Sequence, residues 1–509
     1  MIDSKCKVII AGPGAGKTHD MVQKILSIMP ELQSNRFCAV ITYTNAACDE
    51  IKNRLKSQIN IPSNLFIGTT HSFLIRFIIQ PFSSILNFTP TDTIFIDSVK
   101  LSYQPKNHFA KKHSEIKLAG QLFSKGIITY DKVLEQSNEI IKNENIASII
   151  SNRLQYIFID EYQDIRLYQH FIIKEIIKQN KSIISCIGDP LQSIFKFSYF
   201  TSQLKNEPKP ESFEEIPILD MKNNHNTSLL KVNHRSSHNI IQFINNFNKI
   251  LQQKPPRKKV NNCIPVYFIE STEKQEIIDT FNSLQKVNNI KKSKKDEIHS
   301  LFLSKIWKVF EEVAENNKLN KISKKSSSKS QFQEIQRVVL GLIGLTRAEV
   351  LKITDAISFR KFCFYTFSKL KTKRFNDERH RENAIRKIFE TAFKEKLPTE
   401  NRGNVFMDDS INQVTTSNDF KKSGDFYSTI HSAKGLEATS VLVCAQTVNE
   451  LKKWFDTEIT LKECDDNNRL GFVAFSRARE MLCISCLKKV SDKLKKKLKE
   501  LKVKIITIP

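Results

Sequence analysis

The segment Ala11-Gly12-Pro13-Gly14-Ala15-Gly16-Lys17-Thr18 constrains this chain more than any other. It follows the apolar run Val8-Ile9-Ile10 and leads into Met21-Val22-Gln23-Lys24-Ile25-Leu26, where apolar residues recur at helical spacing. Strand, glycine-rich loop and helix together let backbone N–H groups turn inward around phosphate oxygens, helped by the positive end of the helix dipole. In such a loop Ala11 to Thr18 cradle a nucleotide's phosphates, Lys17 reaches the β- and γ-phosphates, and the Thr18 hydroxyl holds Mg²⁺. Ala11 stands where the strict pattern has Gly.

The chain has 509 residues, too many for one core, so two to four domains are expected. Its net charge of +26 points to a polyanion partner, most simply nucleic acid. No apolar run reaches the ~18 residues that cross a bilayer. The first strand follows Met1 to Lys7 directly and leaves no room for a signal peptide. The ten cysteines are scattered, and Cys483 and Cys486, three apart on an apolar strand, face opposite sides. They read as reduced thiols of a cytoplasmic protein with no metal between them.

The pattern predicts an α/β fold with parallel sheets. Strands are expected at 37–42, 65–68, 156–159 and 183–187, with a helix at 46–55. From about 72 to 150 the pattern is mainly helical. Lys205 to Asn226 reads as a connector or exposed arm. Strands return at 266–269, 301–303, 439–445 and 482–487, around a helical stretch from about 320 to 420. Ser323 to Ser330 is low-complexity, and Lys488 to Lys504 reads as an exposed helix face. The expected units are 1–71 with 151–225, carrying insertion 72–150, and 226–318 with 421–509, carrying insertion 319–420.

Ile157-Phe158-Ile159-Asp160-Glu161 is an apolar strand ending in two carboxylates. Asp160 suits coordination of Mg²⁺ through water, and Glu161 suits orienting and deprotonating an attacking water. A second strand ends in Gly188-Asp189-Pro190-Leu191-Gln192, whose Gln192 can touch the γ-phosphate and report its loss.

With the remaining motifs the chain resembles a superfamily 1 helicase of the UvrD/Rep/PcrA group. Ile41 to Ala47 is similar to motif Ia, Gly68 to Phe73 to motif Ib, and Val232 to Ser236 to motif IV. Thr429 to Glu437 closely matches motif V, and Val473 to Arg479 resembles motif VI. The resemblance implies two RecA-like motor domains that close on ATP or another NTP with Mg²⁺. It makes Arg235 and Arg477 the two arginines aimed at the γ-phosphate from the second motor domain, a role suited to a planar guanidinium. It makes Glu437 the acceptor for a ribose hydroxyl, and Thr44, Asn45, His71 and His431 contacts to a DNA strand. Phe195 and Phe197 keep stacking surfaces after Gln192, although Ser198 stands where relatives carry Arg. Arg479 reads as a surface or packing residue.

No Gln precedes the first strand to read adenine, which leaves the choice of nucleotide open. The short insertions resemble those of the UvrD-like subunit of the Gabija antiphage system. That resemblance implies an NTPase stimulated by DNA ends and partnered with an ATPase-TOPRIM endonuclease. A stand-alone 3′-to-5′ DNA helicase is the alternative, and a non-hydrolysing DNA-binding scaffold is a third reading that the intact motifs oppose.

Overall fold

Strand β1 (Cys6–Ala11) shows how the first lobe is built. Cys6, Val8 and Ile10 face one buried apolar layer, while Ile9 and Ala11 face another. A strand apolar on both faces needs helices on both sides of its sheet. In the computed structural model the first sheet is parallel, in the order β3-β2-β6-β7-β1-β8. Its other strands are β2 (Phe37–Thr42), β3 (Leu65–Thr69), β6 (Leu154–Ile159), β7 (Ile183–Gly188) and β8 (Asn226–Leu230). The structure describes residues 5–82, 127–194, 215–256, 264–291, 297–322, 331–345, 347–372, 378–397, 424–456 and 467–508, with short pieces between 95 and 123.

The second sheet, also parallel, has the order β11-β12-β10-β13-β14-β9-β15. These strands are β9 (Tyr267–Glu270), β10 (Ile298–Ser304), β11 (Asn320–Lys321), β12 (Gly424–Thr429), β13 (Ala438–Ala445), β14 (Ala478–Cys486) and β15 (Lys504–Thr507). The expected fold class, two parallel α/β units, is the one observed. Helices Gln331–Ile343, Arg347–Ile353, Ala356–Thr372 and Glu378–Phe393 enclose a separate apolar cluster that includes Val339, Phe359, Ile385 and Phe389. In the first insertion β4 (Phe95–Asp97) pairs with β5 (Ile127–Thr129), a strand pair that the mainly helical reading had not included.

Three expectations change. Strand β8 hydrogen-bonds β1 in the first sheet, so the boundary at 225/226 cuts through the first lobe. Within the expected connector, Pro217–Asn224 is a helix that buries Ile218, Leu219 and Met221; residues 201–214 lie outside the described residues. The lysine-rich tail forms helix Asp492–Glu500, which buries Leu494 and Leu498, and then β15, so only part of it is a solvated face. Among the described residues no helix is long and apolar enough to cross a membrane. Cys483 and Cys486 are both buried in β14.

Candidate nucleotide site

Strands β1 and β2 are neighbours in sequence but are separated in the sheet by β6 and β7. A crevice opens at the carboxyl ends of strands where order switches in this way, and ligands bind there. The loops after β1, β6 and β7 line a cleft of about 610 Å³, closed from the other side by His234, Arg235, Lys434, Glu437 and Arg477.

The loop after β1 reaches helix α1 (Lys17–Ile28) through two residues in the left-handed region, Gly14 (φ 68°) and Gly16 (φ 76°). A Cβ on Gly14 would lie 2.5 Å from Asn233 Oδ1, so glycine is needed for space as well as for conformation. Lys17 Nζ lies 3.5 Å from Glu161 Oε2. Burial opposes the Lys17 charge, yet Glu161, Asp189 and Asp160 lift its pKa above the ordinary lysine value against Arg477.

Asp160 is buried at the end of β6 and accepts a hydrogen bond from the Glu161 N–H at 2.9 Å. Glu161 is left-handed (φ 52°), a conformation that costs a non-glycine residue energy and clusters at functional sites. Burial, then the Glu161 charge, raises the Asp160 pKa. Burial would raise Glu161 as well, but Lys17, Lys434, the Gln163 amide and Arg477 together pull it below the ordinary range. The buried Asp160 carboxylate and the half-buried Glu161 carboxylate, with Thr18 lining the same cleft, form a hard oxygen donor set. The residues therefore fit Mg²⁺, which Thr18 and Asp160 would hold.

Gln163 stands two residues past Glu161. Its Nε2 donates to Glu161 Oε2 at 2.5 Å, and its Oε1 accepts from the Asp189 N–H at 3.0 Å. It fixes the carboxylate of Glu161 and ties the β6 loop to the β7 loop. Beyond β7, Gln192 Nε2 donates to Asp189 Oδ2 at 2.7 Å, and Gln192 Oε1 accepts from Arg477 Nη2 at 3.0 Å.

Arg477 is fully buried and also donates to the carbonyls of Val473 and Leu436. Burial, reinforced by Arg235, pushes its pKa down to about 9 against Glu161, Glu437 and Asp189. Arg235 donates to Glu437 and, at 3.1 Å, to the Ser476 carbonyl. The resemblance placed Arg235 on the second motor domain; it stands five residues past β8, at the crossing between the lobes. Arg479 is a salt-bridge partner, since its guanidinium grips Glu437 and lies 3.0 Å from Glu297.

Two contacts escaped the sequence reading. Lys434, within the motif V match, forms a buried ion pair with Asp164 and donates to the Gln192 carbonyl at 2.6 Å. Burial raises the Asp164 pKa to about 6, with Lys434 opposing. Arg469 donates to the Ser193 carbonyl at 2.7 Å. Both cross from one lobe to the other, and nothing local in the sequence marks such pairs.

The expected DNA contacts among the described residues follow β2, β3 and β12. Thr44 is exposed at the cleft edge, and its hydroxyl caps helix α2 (Asn45–Lys56) by accepting the Ala47 N–H at 3.2 Å. Asn45 begins that helix and is exposed. The His71 ring lies edge-on to Tyr130, 5.4 Å between centroids, and burial lowers its pKa. His431 is partly buried just after β12, and Phe195 and Phe197 lie outside the described residues.

The chain also matches known families. Residues 1–198 match the AAA domain model, and residues 285–489 match the model of the UvrD-like helicase C-terminal domain. Together the two matches support a UvrD-like superfamily 1 helicase. It is similar to the Gabija protein GajB of Bacillus cereus (strain VD045), 26% identical over 298 residues that cover 53% of this chain and 54% of that protein. It is also similar to the ATP-dependent DNA helicase Rep of Buchnera aphidicola subsp. Acyrthosiphon pisum (strain APS), 26% identical over 53% of this chain and 48% of Rep. The ATP-dependent DNA helicase PcrA of Bacillus subtilis (strain 168) is 24% identical over 49% of this chain and 38% of PcrA. The chain spans about half the length, or less, of these curated relatives. The two family models cover the segments that carry Lys17, Asp160, Glu161, Glu437 and Arg477.

Proposed function

We propose that this UvrD-like helicase is an Mg²⁺-dependent NTPase stimulated by DNA single strands or ends, and that it licenses a partner nuclease in antiphage defence. The observation that carries the hydrolytic part is the meeting of Arg477 and Gln192 across a cleft that holds Lys17 and Glu161. Lys17 and the backbone of residues 12–16 bind the phosphates. Glu161, held by Gln163 and kept ionised by Lys17 and Lys434, orients and deprotonates the attacking water. Arg477 and Arg235 meet the charge that spreads over the transferred phosphoryl group. Thr18 and Asp160 would hold Mg²⁺, which when bound would supply positive charge against the phosphates. Loss of the γ-phosphate removes a bridge between the lobes, so DNA lying across both is gripped in alternation.

The likeness to the Gabija protein GajB supports the defensive role and the ATPase-TOPRIM nuclease as partner. The net charge of +26 supports DNA as the stimulating ligand. The likeness to Rep and PcrA favours a second reading, a 3′-to-5′ DNA helicase that acts without the nuclease. One experiment separates the two. Hydrolysis of each NTP is measured with and without single-stranded and blunt-ended DNA, beside a strand-displacement assay. Stimulated hydrolysis without displacement supports the switch, displacement supports the helicase, and hydrolysis indifferent to DNA refutes both.

A further inference from the structure

A loop whose N–H groups serve phosphate leaves carbonyls that need donors of their own. Two of them find donors on the crossing that carries Arg235. The Gly14 carbonyl accepts the His234 N–H at 2.8 Å, and the Pro13 carbonyl accepts Gln253 Nε2 at 3.0 Å. Gln253 Oε1 accepts from Asn233 Nδ2 at 3.2 Å, and Asn233 Oδ1 accepts the Arg235 N–H at 2.9 Å. Both amides are buried, Gln253 at 4% exposure and Asn233 at 0%. The backbone braces them, since the Asn233 N–H donates to the Lys254 carbonyl at 2.8 Å and Val232 bridges Lys254. A Cβ on Gly12 would stand 2.6 Å from the Gln253 amide, so the loop and the glutamine are packed face to face.

We infer that Gln253 is a positioning residue: with Asn233 it forms an amide relay from the phosphate loop to Arg235 that holds this arginine in register with the γ-phosphate. The inference rests on the proposed NTPase reading. All three hydrogen bonds run in one direction, from the Arg235 N–H to the Pro13 carbonyl, so each relay member must donate with one end and accept with the other. The side-chain amides of Asn233 and Gln253 do this in both places. Gln253→Glu keeps the shape, loses the donor and turns a carboxylate toward the Pro13 carbonyl. Gln253→Met keeps the volume and removes both ends.

The test is a double-mutant cycle on DNA-stimulated hydrolysis, using Gln253→Glu, Gln253→Met, Arg235→Ala and the combined variants in the full chain. A misplaced arginine costs turnover more than affinity. Each Gln253 variant should lower kcat about tenfold to a hundredfold, shift KM less than about threefold, and add no further loss once Arg235 is Ala. Unchanged kcat, or an equal loss in the Arg235→Ala background, overturns the inference. So does loss of the folded state in both Gln253 variants by circular dichroism, which would make the glutamine structural. A wild-type chain without turnover refutes the NTPase reading instead. The relay is then read from binding of a fluorescent non-hydrolysable triphosphate, which Gln253→Glu should weaken and Arg235→Ala should mask; equal binding overturns it.

Discussion

Arg477 donates from Nη2 to Gln192 Oε1 at 3.0 Å, so a guanidinium of the second lobe touches the loop after β7 of the first. Gln192 in turn donates to Asp189, whose charge also acts on Lys17. One amide therefore senses both the arginine and the loop that borders the phosphates. Arg477→Ala is expected to lower NTP turnover by roughly a thousandfold, as for other lost arginine fingers. Gln192→Ala should cost about tenfold, and the double variant should be no worse than Arg477→Ala. Steady-state hydrolysis of the three variants checks this; independent losses that multiply would show that the two side chains do not act together.

Lys17 and Glu161 face each other at 3.5 Å and separate binding from chemistry. Lys17→Ala should abolish hydrolysis and weaken nucleotide binding by at least an order of magnitude. Glu161→Gln should bind nucleotide about as well as the wild type and turn it over at least a hundredfold more slowly. Binding of a fluorescent nucleotide beside phosphate release distinguishes the two, and turnover retained in either variant would refute its assigned role.

His170 sets a pH dependence in the first lobe. Its Nε2–H faces Asp220 Oδ2 at 2.9 Å, so its Nδ1 accepts from the Tyr162 hydroxyl at 3.0 Å. Burial lowers its pKa most, Asp220 pulls upward, and Lys174 and His225 add to the depression. The folded chain therefore binds fewer protons here than the unfolded chain. The stability that His170 contributes is full above the ordinary imidazole value and falls as pH drops through about 6.5. His225, also depressed by burial, acts in the same window. Burial works to raise the Asp220 pKa, but bonds from Lys174 and His170 overcome it, so its contribution is lost only at lower pH. The melting temperature should fall between about pH 7.5 and about pH 5.5, and His170→Gln should shrink that fall. An identical fall in the variant would acquit His170.

Gly471 lies in helix Asn467–Phe475, which leads to Arg477. A Cβ there would meet Trp454 Cβ at 2.6 Å and Cγ at 2.9 Å, and Trp454 is fully buried. Gly471→Ala should destabilise the second lobe by about 1–3 kcal/mol, the usual cost of overpacking a core. A denaturant midpoint equal to the wild type would show that the tryptophan yields freely.

The phosphate loop and the acidic pair were legible because each is a contiguous run whose residues act where they stand. Arg235, Glu437 and Arg477 were legible only through resemblance, since nothing local announces that Arg235 meets Glu437, 202 residues on, or the Ser476 carbonyl, 241 residues on. The Lys434–Asp164 pair, the Gln253 relay and the place of β8 stayed hidden for a related reason. Each depends on which strand lies beside which, and apolar periodicity reports burial but not neighbours. Arg479 read only as a surface or packing residue because its partners Glu437 and Glu297 come from loops far apart in sequence.

The strand order β11-β12-β10-β13-β14-β9-β15 bears on how the chain matures at the ribosome. The first sheet has all its strands once residue 230 has emerged, so that lobe can settle early. In the other sheet β9, made early, lies between β14 and β15, and its partners arrive more than 200 residues later. Until then its edges have no mate within the chain, and a nascent polypeptide stalled in that interval would be a natural client for chaperones.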